Sequence, residues 1–460
     1  MSGQASMERV TDRLDAIAPL VRLGRVGEAL SRLSALEATA GGDARLLQHL
    51  GELYTHCGKP ADAARCYRAA SDLTPGDARC LYNLAAALIA TGDTRQAEQL
   101  LDQVIRLDPA DHDAWQNRST LRRQTPAENH VPGLLQAVER ARLDRDKVAL
   151  SYALAKEYED LGEDEASFTW LKRGADGRRG LLSYQVQADV AAMAQIAQAF
   201  DQALFDTPAA GCDQTGPIFV LGLPRSGTTL VDRIISSHDA VASLGEINDF
   251  ALCLMRLAGA VGGKGDLIRK STQLDPAALG RAYLDSTAGY GSLRPMLIDK
   301  TPANFLYIGL IARALPNARI VHLRRNPMDN GYALYKTLFR MGCPYSYDLD
   351  DIAAYILSYR RLMEHWRTVL PGRVLDVDYE HLVSDQEAVS RAIIDHCGLD
   401  WQDACLDFHT NASPAATASA AQVRQPIYAS SVGLWRRHGD RLQPLAVALS
   451  AGGVDQSELV

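Results

Sequence analysis

Apolar positions in the first 200 residues fall at helical spacing, and the pattern returns at a fixed interval. Gly24, Gly58 and Gly92 are 34 residues apart, as are Ala29, Ala63 and Ala97, and Pro75 and Pro109 keep the same period. Leu47, Leu50, Gly51, Tyr54, Ala63, Tyr67, Ala70 and Pro75 mark one full unit; Leu81, Leu84, Ala85, Leu88, Ala97, Leu101, Val104 and Pro109 mark the next. Small residues let two helices approach closely, larger apolar ones fill the groove between neighbouring pairs, and proline ends the second helix of each unit. The spacing therefore predicts a repeated helical unit. Residues 9–39 read as a degenerate first copy, and a variant one residue shorter surrounds Gly162 and Ala166. Between them, RRQTPAENHVPG breaks the period with Pro126 and Pro132. One unit cannot bury its own apolar face, so residues 10–200 are expected to form an α-solenoid of roughly four helix pairs. Such a stack offers a concave partner-binding surface or a structural prop, and the sequence leaves both readings open.

After TPAAGCDQTGP the pattern changes. Apolar runs rich in β-branched residues, at 218–223, 296–299, 319–323 and 373–378, alternate with helical stretches. That alternation predicts a parallel sheet with helices on both faces, so residues 201–460 are expected to form an α/β domain. In such sheets ligands gather beyond the carboxyl ends of the strands.

The composition changes this picture little. The chain has 460 residues, 47% of them hydrophobic and 23% charged, as in an ordinary soluble globular protein. A net charge of −8 argues against general nucleic-acid or membrane-surface binding, while leaving room for a local basic pocket. No stretch approaches the roughly 18–20 apolar residues of a membrane span, and the start carries no signal-peptide core. Eight cysteines without a C-x-x-C pair read as buried, reduced thiols, so a cytoplasmic protein is expected. The histidines show no metal-ligand spacing, and no metal is expected. His322 lies beside two arginines but reads as a core residue of its strand.

Chemistry concentrates first in GLPRSGTTL, 222–230. A strand, a glycine-bearing turn and a helix start bring backbone N–H groups and the positive end of a helix dipole together, which makes a ready anion site. Pro224, Arg225, Ser226, Gly227, Thr228 and Thr229 form the turn. Arg225 adds a forked charged donor, and Thr228 and Thr229 are placed to cap the helix. Gly222 and Gly227 keep the spacing of the nucleotide-triphosphatase loop, but Thr228 stands where its lysine belongs. That argues against ATP or GTP hydrolysis. In RIVHLRRNPMDNGY, 319–332, a strand ends in two arginines and Pro327 opens a helix, whose free N–H groups suit a second anion.

P-R-S-G-T-T at the first strand–helix turn resembles the 5′-phosphosulfate loop of sulfotransferases that use 3′-phosphoadenosine 5′-phosphosulfate. The repeats ahead of it are similar to tetratricopeptide repeats, and the pair resembles bacterial repeat-containing sulfotransferases. Around the active loops the chain is also similar to protein-tyrosine sulfotransferases. The resemblance covers roughly residues 216–440 and much of 10–200. It implies that Arg325 holds the 3′-phosphate together with a serine eight residues on, a position occupied here by Ala333, with Lys336 one turn further as a substitute. It implies that Glu246, in SLGEINDF, is the base for the acceptor hydroxyl. Lys300, in the D-K-[ST]-P motif, would neutralise the leaving oxygen, and Ser419 would touch the bridging oxygen. Gln422, Arg424 and Tyr428 would close over the nucleotide. A basic residue usual in relatives falls on Leu434, leaving Arg436 and Arg437 as stand-ins.

The expected activity is in-line sulfuryl transfer from that donor to an acceptor hydroxyl, on a peptide tyrosine bound near the repeat groove or on a saccharide, lipid or small molecule. Two rivals stand beside it. One is a repeat scaffold with a decayed catalytic domain, which Ala333 and Leu434 favour. The other is a phosphate-loop kinase, which the missing lysine opposes.

Overall fold

The structure is a computed structural model and describes residues 14, 16–411, 413–414 and 422–459. Four antiparallel helix pairs pack as the period predicts. They are Ala18–Arg22 with Val26–Glu37, Ala44–His56 with Pro60–Leu73, Ala78–Thr91 with Thr94–Leu107, and Asp144–Leu161 with Asp164–Gly180. Aspartates mark several helix starts: the side chains of Asp77, Asp93 and Asp111 each accept a first-turn N–H, filling an orphan donor. Ala29, Ala63 and Ala97 have no exposed surface, because they lie where two helices cross. Two helices, His112–Thr120 and Val131–Arg140, are interposed where the period breaks, and Pro132 opens the second of them.

The sheet has five parallel strands, one more than the apolar runs predict: β1 (Pro217–Gly222), β2 (Val241–Ser243), β3 (Met296–Asp299), β4 (Arg319–Arg324) and β5 (Val374–Asp378), in the order β2-β3-β1-β4-β5. The three residues of β2 are too few to show a period. All six residues of β1 are buried, since both faces are covered. Ile218 and Val220 join Val231, Ile234, Ile235, Ile393 and Ile394 on one face; Phe219 and Leu221 join Phe250, Tyr283, Ile308, Ile311 and Trp366 on the other.

That second core does not stop at the sheet domain. It takes in Val148, Tyr152, Phe168 and Leu171 from the last helix pair, whereas residues from Leu14 to Leu121 form a separate repeat core. The earlier repeats still touch the sheet domain. Ser286 Oγ donates to the Gly24 carbonyl at 3.2 Å, Arg256 to the Leu23 carbonyl at 3.2 Å, and Lys59 to the Tyr290 carbonyl at 3.3 Å. Among the described residues, no helix is long and apolar enough to cross a membrane.

Candidate active site

Leaving β1, the chain proceeds to β2 and β3 on one side; leaving β4, it proceeds to β5 on the other. The loops after β1 and β4 therefore diverge and open a crevice at the carboxyl edge of the sheet. Gly222 pairs with Leu323 in register, which starts both loops at the same height. A Cβ on Gly222 would lie 2.6 Å from the Leu323 carbonyl oxygen, and one on Gly227 would lie 2.6 Å from the Tyr379 ring, so both positions require glycine. Arg225 has φ +66°, a left-handed conformation that turns the loop back on itself.

The helix Thr228–Ser236 begins directly after Gly227, with no side chain capping its first turn. Thr228 and Thr229 are thus the first helical residues rather than caps. The helix after β4 behaves oppositely. Pro327 has no N–H, and the N–H groups of Met328 and Asp329 donate to Asn326 Oδ1 at 3.0 and 3.1 Å. The N–H of Asn330 donates to the Asn326 carbonyl at 2.9 Å. This corrects the expectation that free N–H groups at 327–330 receive an anion. The first loop keeps the helix-terminus role, and side chains must supply the second contact.

Arg325 is placed to do so. Its guanidinium donates to the Arg225 carbonyl at 2.9 Å and to the Ser431 carbonyl at 2.6 Å, and it lies over the Tyr379 ring at 4.8 Å. Its Nε is buried without a partner, as is Ser226 Oγ on the facing loop. Two cationic groups are thereby held side by side. Burial first, and then the Arg325 charge, push the Arg225 guanidinium down from its ordinary value. An anion between them relieves both costs. The unpartnered Ser226 hydroxyl and the glycine-lined loop fit an anionic group.

Glu246 and Lys300 meet because β2 and β3 are neighbours, with Ser243 beside Ile298. The loops that follow are tied by Lys300 N–H to the Gly245 carbonyl at 2.9 Å and Thr301 Oγ1 to the Ile247 carbonyl at 2.6 Å. Lys300 Nζ donates to Glu246 Oε1. The lysine side chain is 1% exposed and the glutamate 46%, so the pair has a buried cationic end and a solvent-facing anionic end. Glu246 precedes the helix Asp249–Ala258 instead of lying in its first turn. Its charge reaches Arg225, which joins the β2 and β3 loops to the phosphate-loop site.

Asp299, next to Lys300, is buried and accepts from Tyr283 at 3.2 Å. Burial pushes its carboxyl up to about 7. The folded protein therefore holds this proton more tightly than the unfolded chain. The associated stability is full below the ordinary carboxylate range and is lost as pH rises toward 7. Asp299→Asn is expected to gain on the parent by a few kcal/mol between pH 4 and 7. Urea midpoints measured for both proteins across that range check it; parallel curves would contradict it.

Other expected site residues are placed less simply. Tyr428 is half-buried; burial and the neighbouring Tyr379 raise its pKa, while Arg225 and Arg325 oppose the shift, so it borders the arginine pair. Arg424 reaches the repeats, with Nη2 3.4 Å from the Ala90 carbonyl and its guanidinium against Gly92. Gln422 lies in the short turn Gln422–Arg424. Ser419 lies outside the described residues. Ala333 is buried, and Lys336 does not replace the missing serine: its Nζ is held by Glu159 at 2.7 Å. Arg437 likewise pairs with Asp164 of the repeats and does not stand in for a basic residue at Leu434. His322 is a core residue, held by Asp376 at 2.6 Å and by Tyr359.

Three further side chains build the site. Tyr379, the first residue after β5, packs on Gly227, lies under Arg325 and bonds Ser431 Oγ at 2.7 Å. Its place at a strand's carboxyl end is the signal that marks it. Asn330 Nδ2 donates to the Pro224 carbonyl at 3.0 Å. Asp329 is buried and accepts the Gly433 N–H at 2.6 Å, fastening the S-V-G-x-W stretch over the crevice.

Residues 217–403 match the sequence model of the sulfotransferase family, and residues 58–119 match that of the tetratricopeptide repeat. A sulfotransferase-family match thus follows a tetratricopeptide-repeat match along the chain. It is 29% identical over 426 residues to an uncharacterized protein of Aquifex aeolicus, covering 86% of this chain and 53% of that protein. The chain thus spans about half the length of that relative. It is 25% identical over 254 residues to protein-tyrosine sulfotransferase 2 of Gallus gallus, covering 50% of this chain and 66% of that protein. It is 30% identical over 118 residues to omega-hydroxy-beta-dihydromenaquinone-9 sulfotransferase of Mycobacterium tuberculosis, covering 24% of this chain and 30% of that protein.

Proposed function

We propose that this protein is a sulfotransferase that uses 3′-phosphoadenosine 5′-phosphosulfate and sulfates a hydroxyl, with a peptide tyrosine as the leading acceptor. One observation carries the reading. The loops after β1 and β4 are joined through Arg325 and the Arg225 carbonyl, while Glu246, which accepts from Lys300, has its charge felt at Arg225.

The donor supplies an activated sulfuryl group, and the chain supplies position and charge. The uncapped first turn at Thr228, with Ser226 and Arg225, receives the 5′ end. Arg325 receives the 3′-phosphate. Lys300 is an ammonium with three N–H donors, one of which Glu246 uses; the others serve the leaving oxygen. Glu246 faces solvent, where an acceptor arrives, and takes the hydroxyl proton as its oxygen attacks. Electrostatic positioning dominates in transfers of this loose kind.

The repeats touch the sheet domain in at least two places. Arg256 and Ser286 tie one flank to the first repeat. Arg340 ties the other flank to Asp113 at 2.6 Å. A repeat array held against the catalytic domain favours an extended acceptor such as a peptide. The test is incubation with sulfate-labelled donor and a cell extract, followed by separation of protein, lipid and small molecules. Label in protein, released as sulfotyrosine, is the expected result. Label confined to lipid or small molecules would overturn the acceptor class, and no transfer into any fraction would overturn the activity.

A further inference from the structure

Lys336 and Tyr332, on the last turn of the helix after β4 and just beyond it, both end on one carboxylate of the repeat array. Lys336 Nζ lies 3.0 and 2.7 Å from the two oxygens of Glu159, and Tyr332 OH lies 2.7 Å from Oε1. The Glu159 side chain is 14% exposed, and these contacts hold its carboxyl below the ordinary value against the opposing effect of burial. Arg437 adds a bond to the Glu159 carbonyl at 3.4 Å and pairs with Asp164. The helix held in this way, Pro327–Tyr335, has nine residues and spans about 13 Å. Its other end presents Arg325, Asn330 against the phosphate loop, and Asp329 against the closing stretch at Gly433.

We propose that Glu159 is a positioning residue of the nucleotide site, acting from the repeat array through Lys336 and Tyr332 to set where Arg325 meets the 3′-phosphate. Two features make the placement matter. Ala333 offers no hydroxyl, and the helix's own N–H groups are taken by Asn326, so recognition of the 3′-phosphate rests on one guanidinium. A single charge-assisted fork is sensitive to small displacements. The last helix pair shares a core with the sheet, which gives Glu159 a rigid base. On this account the repeats complete the donor site. The inference rests on the sulfotransferase reading of that site.

The test measures binding of 3′,5′-bisphosphoadenosine and of adenosine 5′-phosphate by the full chain, as calorimetric Kd values. The parent should prefer the bisphosphate. Glu159→Gln, which keeps the volume and removes the charge, should reduce that preference by about 3–10-fold, with adenosine 5′-phosphate affinity nearly unchanged. The reciprocal pair Glu159→Lys with Lys336→Glu should recover part of the preference, a result that general loosening of the fold does not give. An unaltered preference in folded Glu159→Gln overturns the inference and leaves the sulfotransferase reading intact. A parent that binds both nucleotides equally overturns the 3′ site itself, and this inference with it. If Glu159→Gln fails to fold, the reciprocal pair decides: a folded double variant without recovered preference also counts against the proposal.

Discussion

Glu246→Gln is expected to lower sulfuryl transfer by about 10²–10⁴-fold, the usual worth of a positioned general base, while binding of 3′,5′-bisphosphoadenosine persists. The separation follows from the layout. Glu246 occupies the solvent-facing end of its pair and takes no part in the carbonyl contacts that fix Arg325. Glutamine can still accept from Lys300, so the buried ammonium keeps a hydrogen bond although it loses an opposing charge. The stability cost should stay below the several kcal/mol of stranding a fully buried ion, because the removed partner is nearly half exposed. Thermal shift with the bisphosphate and turnover with labelled donor should therefore diverge. Turnover equal to the parent's would remove Glu246 as the base and return it to the role of a loop acid holding Lys300.

Much of this architecture is legible in the sequence because two periods carry it. The 34-residue repeat depends on small residues at helix crossings, and Ala29, Ala63 and Ala97 are fully buried where that logic puts them. The apolar runs mark β1, β3, β4 and β5, of which β1 is buried along its whole length and the others in part. β2 escapes notice because three residues at the edge of a sheet are held by the register with β3, not by their own pattern. The site divides in the same way. Loop residues that act through the backbone, from Gly222 to Thr229, announce themselves by type and spacing. Residues that act through distant partners do not. Lys336 reads as a phosphate ligand until Glu159, 177 positions away, is seen to hold it. Asn326 reads as an ordinary residue before proline, yet its side chain removes the N–H groups that a helix start seems to offer. Tyr379 becomes visible once β5 is known to lie beside β4.

The division between an uncapped first helix and a capped second one leads to the sharpest binding prediction. Arg325→Lys should weaken 3′,5′-bisphosphoadenosine by about 10–100-fold and adenosine 5′-phosphate far less. The charge is retained, so the loss reports geometry. The guanidinium spans two carbonyls, Arg225 at 2.9 Å and Ser431 at 2.6 Å, and lies over the Tyr379 ring. An ammonium has neither the fork nor the plane to keep all three contacts. Each charge-assisted bond is worth about 1.5–3 kcal/mol, so losing one accounts for the expected change. The same replacement removes the contact to the Ser431 carbonyl, while Tyr379 still bonds Ser431 Oγ and Asp329 still fastens Gly433 and Trp435. The closing stretch should consequently remain attached, and the 5′ end should bind nearly as before. Equal weakening of both nucleotides would mean that Arg325 only supports the fold around Tyr379. The second anion contact would then have to be sought elsewhere along the crevice.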